Sequence, residues 1–332
     1  MRSPDDERFV RAAIRLSRRH EGLTAENPSV GCLIVRDDRV VGRGVTTPGG
    51  RPHAERIALE EAGERARGAT AYVTLEPCAH HGQTPPCADV LITSGIVRVV
   101  VGADDPDPRV SGRGIDLLRN SGVEVTTNVC EVEARVQLAP FLSRIERGRP
   151  HALLKLAVSA DGFLGSSMKS NVPITGAISR AQVHLLRARS DAILVGSGTV
   201  LLDDPALTVR LPGLEGRSPR RYVLDRRGRT PNVARVRNGE GAIILRNGYL
   251  ADHLARMAGR GIGLLMIEGG ARVAAAFLEA DLVDEVALFV GADPIGGDVR
   301  SPISPDRLPD GFSLIRRDRF GSDICLTLQR TR

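Results

Sequence analysis

The 332-residue sequence lacks tryptophan, has few other aromatic residues and is almost without lysine. Aromatic side chains make up only 3% of the chain, which leaves few surfaces on which single-stranded bases could stack. Lysine occurs only as Lys155 and Lys169, and the arginines are interleaved with acids rather than gathered into basic blocks. The net charge of +6 therefore favours a small phosphorylated substrate over nucleic acid.

Long apolar runs and a cysteine framework are also missing. No run approaches the roughly 20 apolar residues that a membrane-spanning helix needs. The first eight residues carry mixed charge with no apolar stretch behind them, unlike a secretory signal. The five cysteines are odd in number and scattered, a pattern more typical of metal binding or catalysis than of disulfides. We therefore expect a cytoplasmic enzyme that binds no membrane.

The chain length predicts about two domains, each large enough to bury its own core. A polar segment containing glycine and proline, Arg144–Pro150, precedes a fresh apolar strand at His151. Such a break indicates a linker, so we predict domains at 1–146 and 148–332.

Potential metal ligands are concentrated between His53 and Cys87. The chain has His53-Ala54-Glu55, then Pro77-Cys78, and nine residues after Cys78 a second cysteine, Cys87. One imidazole and two thiolates are three zinc ligands, and a fourth position left for water is typical of a catalytic site. The alternatives are a closed structural zinc site or unrelated core residues. The H-x-E and P-C strings together favour catalytic zinc.

Glu55 lies two residues from His53, where it can stay off the metal and carry protons. Zinc lowers the pKa of its water, and a free carboxylate can take that proton and return it to the leaving amine. This division of roles is the one found in zinc nucleobase deaminases. The pattern predicts hydrolytic deamination.

Strands and helices alternate along the first half. Apolar runs predict strands at 32–35, 40–45, 71–75, 97–102 and 123–126, and apolar residues at helical spacing predict helices at 7–20, from 53 and from 87. The alternation indicates an α/β layered domain. His53 and Cys87 would then lie in the first turns of two helices, where the helix dipole favours a thiolate.

The second half contains two strand–glycine–helix junctions. The run 192–195 leads into Gly196-Ser197-Gly198-Thr199, interpreted as a glycine loop, and the run 264–268 leads into Gly269-Gly270 and a helix over 271–278. Backbone N–H groups at such junctions can approach a diphosphate. Two of them in one domain predict a dinucleotide cofactor.

The strings Asn27-Pro28-x-Val30-Gly31, Pro52-His53-Ala54-Glu55 and Thr74–Cys87 closely resemble the deaminase half of the bifunctional riboflavin-biosynthesis deaminase/reductase family. The resemblance implies a cytidine-deaminase-like three-layer domain, zinc on His53, Cys78 and Cys87, and proton transfer by Glu55. The long spacing between the cysteines, with His81, Gly82, Thr84 and Pro85 inside it, separates the chain from cytidine and transfer-RNA deaminases.

The second half resembles the reductase domain of the same family, which is dihydrofolate-reductase-like, α/β and NADPH-dependent. The matching strings begin at Lys155, at Thr199 and at Glu268. The resemblance implies the following contacts with NADPH: Ala157, Thr199, Asp203, Gly270, Ala271, Arg272, Val273, Ala274, Ala275 and Ala276. It implies the following contacts with a phosphoribosyl substrate: Asn171, Arg187, Leu207, Arg210 and Glu268. The alternative for Arg187 and Arg210 is that they are ordinary surface arginines with no role in binding. The family commonly has tryptophan where this chain has Pro173, so its stacking must be absent or supplied differently.

The hypothesis is a zinc- and NADPH-dependent enzyme of riboflavin synthesis that first deaminates a diaminopyrimidinone carrying a phosphoribosylamino group and then reduces the ribosyl chain to ribityl. The resemblance also implies a homo-oligomer. Three other interpretations stay open from the sequence: a deaminase with a degenerate reductase half, a nucleic-acid or nucleoside deaminase with an accessory nucleotide-binding domain, and a zinc-stabilised binding module.

Overall fold

The computed structural model describes residues 4–80 and 85–331. The chain divides into two compact units, Met1–Gly148 and Arg149–Arg332. Within the described residues, every helix is too short or too polar to cross a membrane.

A five-stranded sheet forms the centre of the first unit, in the order β2-β1-β3-β4-β5. Its strands are β1 (Gly31–Arg36), β2 (Arg39–Val45), β3 (Thr70–Leu75), β4 (Arg98–Ala103) and β5 (Glu124–Thr126). β1 runs antiparallel to β2 and β3, whereas β3, β4 and β5 are parallel. The β1–β2 turn is made by Asp37 and Asp38, both at positive φ, a conformation that Asp tolerates. β3, for which the sequence predicts a strand at 71–75, is the central strand of the sheet.

Helices cover both faces of this sheet. They are α1 (Pro4–Ser17), α2 (Ala54–Ala62), α3 (Cys87–Thr93), α4 (Arg113–Asn120), α5 (Glu131–Gln137) and α6 (Ala139–Arg147). A Cβ on Gly31 would lie 2.1 Å from the Ala13 carbonyl oxygen of α1, and one on Gly44 would lie 1.8 Å from the Ala54 carbonyl oxygen of α2. Gly44 pairs with Cys32, the neighbour of Gly31, so α1 and α2 pack on opposite faces. The unit is a three-layer α/β fold.

The second unit is organised around an eight-stranded sheet in the order β10-β9-β8-β11-β6-β12-β15-β14. The second unit's strands are β6 (His151–Val158), β7 (Phe163–Gly165), β8 (Ala192–Gly196), β9 (Arg220–Leu224), β10 (Ala242–Leu245), β11 (Leu264–Ile267), β12 (Glu285–Val290), β13 (Val299–Arg300), β14 (Phe312–Phe320) and β15 (Asp323–Arg330). The sheet is parallel from β10 to β12 and antiparallel from β12 to β14. β7 and β13 form a separate antiparallel pair.

The helices of the second unit are α7 (Ala177–Arg189), α8 (Ser197–Asp203), α9 (Leu250–Ala258) and α10 (Ala271–Glu279). Apolar residues from the two faces of the sheet form two clusters, one with α9 and α10 and the other with α7 and α8. Parallel strands with helical crossovers bury both sheet faces, which explains the continuous apolar runs at β8 and β11.

Three sequence interpretations are corrected here. The segment interpreted as a polar linker is helical through Arg147, because α6 ends only where Gly148 adopts the left-handed conformation typical of a helix C-terminus. The residues interpreted as a glycine loop after β8 are the first turn of α8, which begins at Ser197. The first helix begins at Pro4 and ends at Ser17, followed by a short 3-10 turn, Arg18–His20.

Candidate metal centre and candidate reductase pocket

The structure brings His53, Cys78 and Cys87 together in the first unit. His53 immediately precedes α2, Cys78 follows β3 by three residues, and Cys87 is the first residue of α3. The Cys87 backbone N–H donates to Cys78 Sγ over 3.3 Å, and the Ala88 N–H donates to the Cys78 carbonyl over 3.2 Å. These two hydrogen bonds hold Cys78 next to Cys87, although the two cysteines are nine residues apart in the sequence.

The three side chains present one donor atom each, and these atoms all lie within 4.8 Å of one another. His53 Nδ1 is 3.3 Å from Cys87 Sγ and 3.7 Å from Cys78 Sγ. Tetrahedral zinc with bonds of roughly 2.3 Å to sulfur and 2.0–2.1 Å to nitrogen separates such donors by roughly 3.5–3.8 Å. The observed spacing therefore fits a zinc ion with three protein ligands.

The electrostatics of the cluster favour a thiolate on Cys78. Hydrogen bonding with the Cys87 thiol, and then with the His53 ring, lowers the pKa of Cys78 to about 4 although the site is largely buried. The same shared proton, together with burial, raises the pKa of Cys87. The pKa of His53 is also raised, chiefly by Cys78. Zinc would displace the shared proton on binding, because its ligands here would be two thiolates and a neutral imidazole.

Glu55 lies in the same pocket, one residue into α2, and is 4% exposed. Burial raises the pKa of its carboxyl group, an effect that the nearby His53 ring opposes. A buried carboxylate with a raised pKa can both accept and return a proton near neutral pH. Residues 81–84, which include His81, Gly82 and Thr84 of the family string, lie outside the described residues.

Sequence reasoning missed a role for Glu76, two residues before Cys78. Glu76 is 3% exposed, and its carboxylate accepts backbone N–H bonds from Gly112 at 3.1 Å and Gly114 at 3.0 Å. Longer bonds of 3.4 Å come from Asp105 and Ile115. The carboxylate thus fixes the segment between β4 and α4 beside Cys78. The sequence does contain a signal for this role: Glu76 is an acidic residue directly after an apolar strand. A charge buried at such a position needs hydrogen-bond partners.

In the second unit, the two glycine junctions lie side by side. β8 and β11 are adjacent parallel strands, so their carboxyl ends meet at one edge of the sheet. A Cβ on Gly196 or Gly269 would lie within 3 Å of Val273, so both glycines allow α10 to pack closely. A Cβ on Gly270 would lie 3.8 Å from Thr199 Oγ1. The edge thus combines the first turns of α8 and α10, an arrangement suited to a nucleotide phosphate.

The other residues that the resemblance assigns to the cofactor lie on different elements of the second unit. Asp203 ends α8, and its Oδ1 accepts the Asn171 backbone N–H over 2.8 Å. Ala157 lies near the end of β6, next to β11 in the sheet. Ala274 is fully buried in the apolar core, so only its backbone could face a cofactor. Pro173, where the resemblance expects tryptophan, is exposed.

A buried charge cluster follows β11. Glu268 Oε1 accepts from Lys155 Nζ at 3.2 Å and from Arg187 Nη2 at 2.9 Å, and Glu268 Oε2 accepts from Arg187 Nε at 3.0 Å. Burial opposes the charge on Glu268, but Lys155 and Arg187 outweigh it and lower its pKa. Two cations on one carboxylate leave a net positive site.

Leu207 and Arg210 lie beside this cluster. Arg187 Nη1 donates to the Thr208 carbonyl over 3.2 Å, which ties α7 to the segment 207–210. Burial, and then the nearby cations Arg187 and Arg235, lowers the pKa of Arg210. The structure therefore groups Arg187, Leu207, Arg210 and Glu268, whereas Asn171 contacts Asp203 at the end of α8.

Fold and site together define a two-part enzyme: a three-layer unit with a His/Cys/Cys cluster suited to a metal ion, and a largely parallel-sheet unit in which two helices begin at one sheet edge. Residues 3–103 match the cytidine and deoxycytidylate deaminase zinc-binding region, and residues 150–326 match the RibD C-terminal domain. The chain belongs to the RibD family of riboflavin biosynthesis proteins, which are bifunctional deaminases and reductases.

The similarity extends over nearly the whole chain. The riboflavin biosynthesis protein RibD of Aquifex aeolicus is 40% identical over 314 residues, covering 88% of each chain. The Escherichia coli RibD protein is 37% identical and covers 97% of this chain and 99% of its own length. A crystal structure of a diaminohydroxyphosphoribosylaminopyrimidine deaminase/5-amino-6-(5-phosphoribosylamino)uracil reductase from Thermotoga maritima superposes with a TM-score of 0.89, at 35% identity, covering 98% of each chain. These matches give no support to a nucleic-acid deaminase or to a degenerate second half.

The two cofactors follow from the two parts. The first unit is of the zinc-binding deaminase type and contains the His/Cys/Cys cluster, and the second is of the RibD reductase type, which uses NADPH.

Proposed function

We propose that this enzyme catalyses two consecutive steps on one phosphorylated substrate. Residues 1–146 hydrolytically remove the ring 2-amino group of 2,5-diamino-6-(5-phosphoribosylamino)pyrimidin-4(3H)-one, and residues 148–332 reduce the ribosyl side chain of the product to ribityl. The observation that carries the proposal is the cluster of His53, Cys78 and Cys87 with Glu55 buried beside it. The similarity to the Thermotoga maritima diaminohydroxyphosphoribosylaminopyrimidine deaminase/reductase supports the choice of substrate.

In the deaminase half, His53, Cys78 and Cys87 hold zinc and Glu55 moves protons. Zinc supplies the Lewis acidity that makes water a nucleophile near neutral pH. Glu55 takes a proton from that water and delivers it to the departing amine, so that water and the amine are exchanged for a ring carbonyl and ammonia. The burial of Glu55 supports this role because it keeps bulk water from competing for the proton.

In the reductase half, the paired edge of α8 and α10 binds NADPH, which supplies the hydride. Thr199, Asp203 and Ala157 contact the cofactor together with residues 270–276. The first turns of the two helices would hold its diphosphate, because the leading backbone N–H groups of a helix have no partner within it.

We assign the substrate phosphate to Arg187 and Arg210. The remainder of the phosphoribosyl group is assigned to Asn171, Leu207 and Glu268. A guanidinium fork suits phosphate geometry. Arg187 lies near Arg210, and Glu268 is the carboxylate that accepts hydrogen bonds from both Arg187 and Lys155. Three cations with one carboxylate support a site for an anion. A phosphate would offset the burial and the nearby cations that together lower the pKa of Arg210.

We also propose that the enzyme acts in the cytoplasm on a small molecule, binds neither nucleic acid nor membrane, and forms a homo-oligomer. The interleaved charges and scarce aromatic residues support the first part of this proposal. The family resemblance supports the second.

The replacement Glu55→Gln tests the deaminase assignment. The amide keeps the size of the side chain but cannot accept a proton, so deamination should fall about 10²–10⁴-fold. Zinc content should stay at one ion per chain, as measured by atomic emission, because Glu55 is not assigned as a ligand.

Glu60→Gln is the matched control, an exposed glutamate on the same helix, and should retain full activity. Reduction of the deaminated substrate, followed as loss of NADPH absorbance, should be unchanged in both variants. Deamination by Glu55→Gln at the unmodified rate would remove Glu55 from the mechanism.

A further inference from the structure

The segment that carries Arg210 is tied to α7 by two side chains one helical turn apart. Arg187 donates to the Thr208 carbonyl over 3.2 Å, and His184 Nδ1 accepts the Arg210 backbone N–H over 3.3 Å. Residues three apart on a helix share a face, so His184 and Arg187 hold the same stretch of backbone. On its other side the Val209 N–H donates to Ser218 Oγ over 3.0 Å.

These ties hold a backbone that would not keep its shape by itself. Leu207 has φ of 57° and is only 2% exposed. The left-handed region costs a non-glycine residue about 1 kcal/mol or more, so surrounding contacts must maintain it. Arg210 also lies close enough to Arg187 for their like charges to lower its pKa. The hydrogen bond to His184 therefore opposes both backbone relaxation and charge repulsion.

The geometry requires a neutral His184 with Nδ1 unprotonated, because Nδ1 is the acceptor. The groups that face the ring are Arg187 on its own helix, Arg210 and the Thr208 carbonyl on the segment, and Glu268 after β11. Burial, followed by the two arginines, lowers the pKa of His184. The ring is thus kept as an acceptor at neutral pH.

We propose that His184 is a positioning residue for phosphate recognition in the reductase half: its Nδ1 holds the Arg210 backbone so that Arg210 and Arg187 meet the substrate phosphate together. The proposal rests on the proposed function, which makes these arginines the phosphate ligands. His184 does not itself contact the reacting atoms.

The test uses the full-length protein with NADPH and either the phosphorylated, deaminated substrate or its dephosphorylated analogue. His184→Ala should raise KM for the phosphorylated substrate about five- to tenfold, the size expected for one lost hydrogen bond, with kcat and the KM for NADPH unchanged. KM for the dephosphorylated analogue should not change. His184→Asn should restore the low KM because its Oδ1 occupies the place of Nδ1. His184→Gln should not restore it, since its amide reaches the place of Nε2.

The KM for NADPH, which binds to the same unit as the substrate, reports that the second unit of each variant is folded. Equal KM increases for both substrates, or no rescue by His184→Asn, would show that His184 only packs and would overturn the proposal. Arg210→Ala distinguishes a failure of the His184 proposal from a failure of the phosphate assignment. If Arg210→Ala raises KM but His184→Ala does not, this inference alone fails. If Arg210→Ala has no effect, the phosphate assignment in the proposed function is wrong and the inference fails with it.

Discussion

Asp284 is a buried carboxylate on which the start of the second unit depends. It is 4% exposed and accepts hydrogen bonds from Arg149 at 2.7 and 2.9 Å and from the Ala152 N–H at 2.9 Å. Burial alone disfavours the carboxylate, but the bonds from Arg149 and the proximity of His151 outweigh it and hold the pKa of Asp284 well below its usual range. The charged form is therefore favoured by folding.

Asp284→Asn should destabilise the second unit by about 3 kcal/mol at pH 7, because it leaves the Arg149 charge without its carboxylate. A depressed pKa in the folded state gives stability that is present above the unfolded pKa of about 3.9 and is lost as pH falls below it. The difference in unfolding free energy between the parent and the variant should be constant from pH 7 to pH 5 and shrink at pH 3.5. Urea unfolding at the three pH values measures it.

Asp281→Asn is the matched control. Its ion pair with Arg330 involves a carboxylate that is 73% exposed, and exposed pairs contribute about 0–1 kcal/mol. It should therefore change stability little at any pH. An Asp284→Asn penalty that stays the same at pH 3.5 would contradict the assigned charge state.

At the same scale, residue types and their spacing predict the metal cluster, whereas only the family resemblance brings Arg187 and Glu268 of the charge cluster into one site. Zinc chemistry restricts both residue types and their spacing, so His53, Cys78 and Cys87 stand out in the sequence, and the structure brings them together. Lys155 and Glu268 are 113 residues apart, and no local pattern links them. His184 lies on a helix whose spacing is visible, but its bond to Arg210 depends on a turn with leucine at positive φ. Such contacts arise only from tertiary packing.

Among the elements, the contact between β2 and α2 determines where the metal centre is held. A Cβ on Gly44 would lie 1.8 Å from the Ala54 carbonyl oxygen and 2.7 Å from the Ala58 nitrogen. Both are backbone atoms, which cannot rotate away as a side chain can. Ala54 lies between His53 and Glu55, so any shift of this turn moves a proposed ligand and the proposed proton carrier together.

Gly44→Ala should therefore lower both stability and metal binding. Overpacking of this kind costs about 1–3 kcal/mol, and the displaced helix start should weaken zinc affinity. Thermal unfolding and zinc competition with a chelator measure the two effects.

Arg39→Ala, an exposed position on the same strand, should change neither stability nor zinc affinity. Lower stability with unchanged zinc affinity in Gly44→Ala would separate the β2–α2 contact from the metal centre.

The elements that the sequence predicts are those with one dominant physical signal. β3, β4, β8 and β11 are short apolar runs because both faces of each strand are buried. β14 is an edge strand with mostly exposed residues, including Arg316 and Arg317, and has no such run. At α8 the sequence favours a loop, because glycine disfavours helices in isolation. Tertiary packing overrides that preference, since α8 begins directly at the end of β8.

For the whole molecule, the division into two units separates the two proposed chemistries. One apolar core is built from residues 9–142 and the others from residues 152–328. The metal cluster belongs entirely to the first unit, whereas Lys155, Arg187, Arg210 and Glu268 belong to the second. Each proposed site is therefore supported by its own core.

Removal of zinc should accordingly abolish one activity and spare the other. Dialysis against a chelator should eliminate deamination, because the thiolates and imidazole provide no Lewis acid by themselves. NADPH oxidation with the deaminated phosphoribosyl substrate should keep its kcat and KM. Stability should fall only in the first unit, since a ligand that binds the folded state alone stabilises the unit that holds it.

Added Zn²⁺ should restore deamination in proportion to the metal bound, and addition of Mg²⁺ should not, because sulfur ligands favour the softer ion. Calorimetry should show two unfolding transitions, and the chelator should shift only the transition of the first unit. If both activities fell in parallel as zinc was removed, the second unit would depend on the metal centre of the first, and two independently supported active sites would be the wrong description of this enzyme.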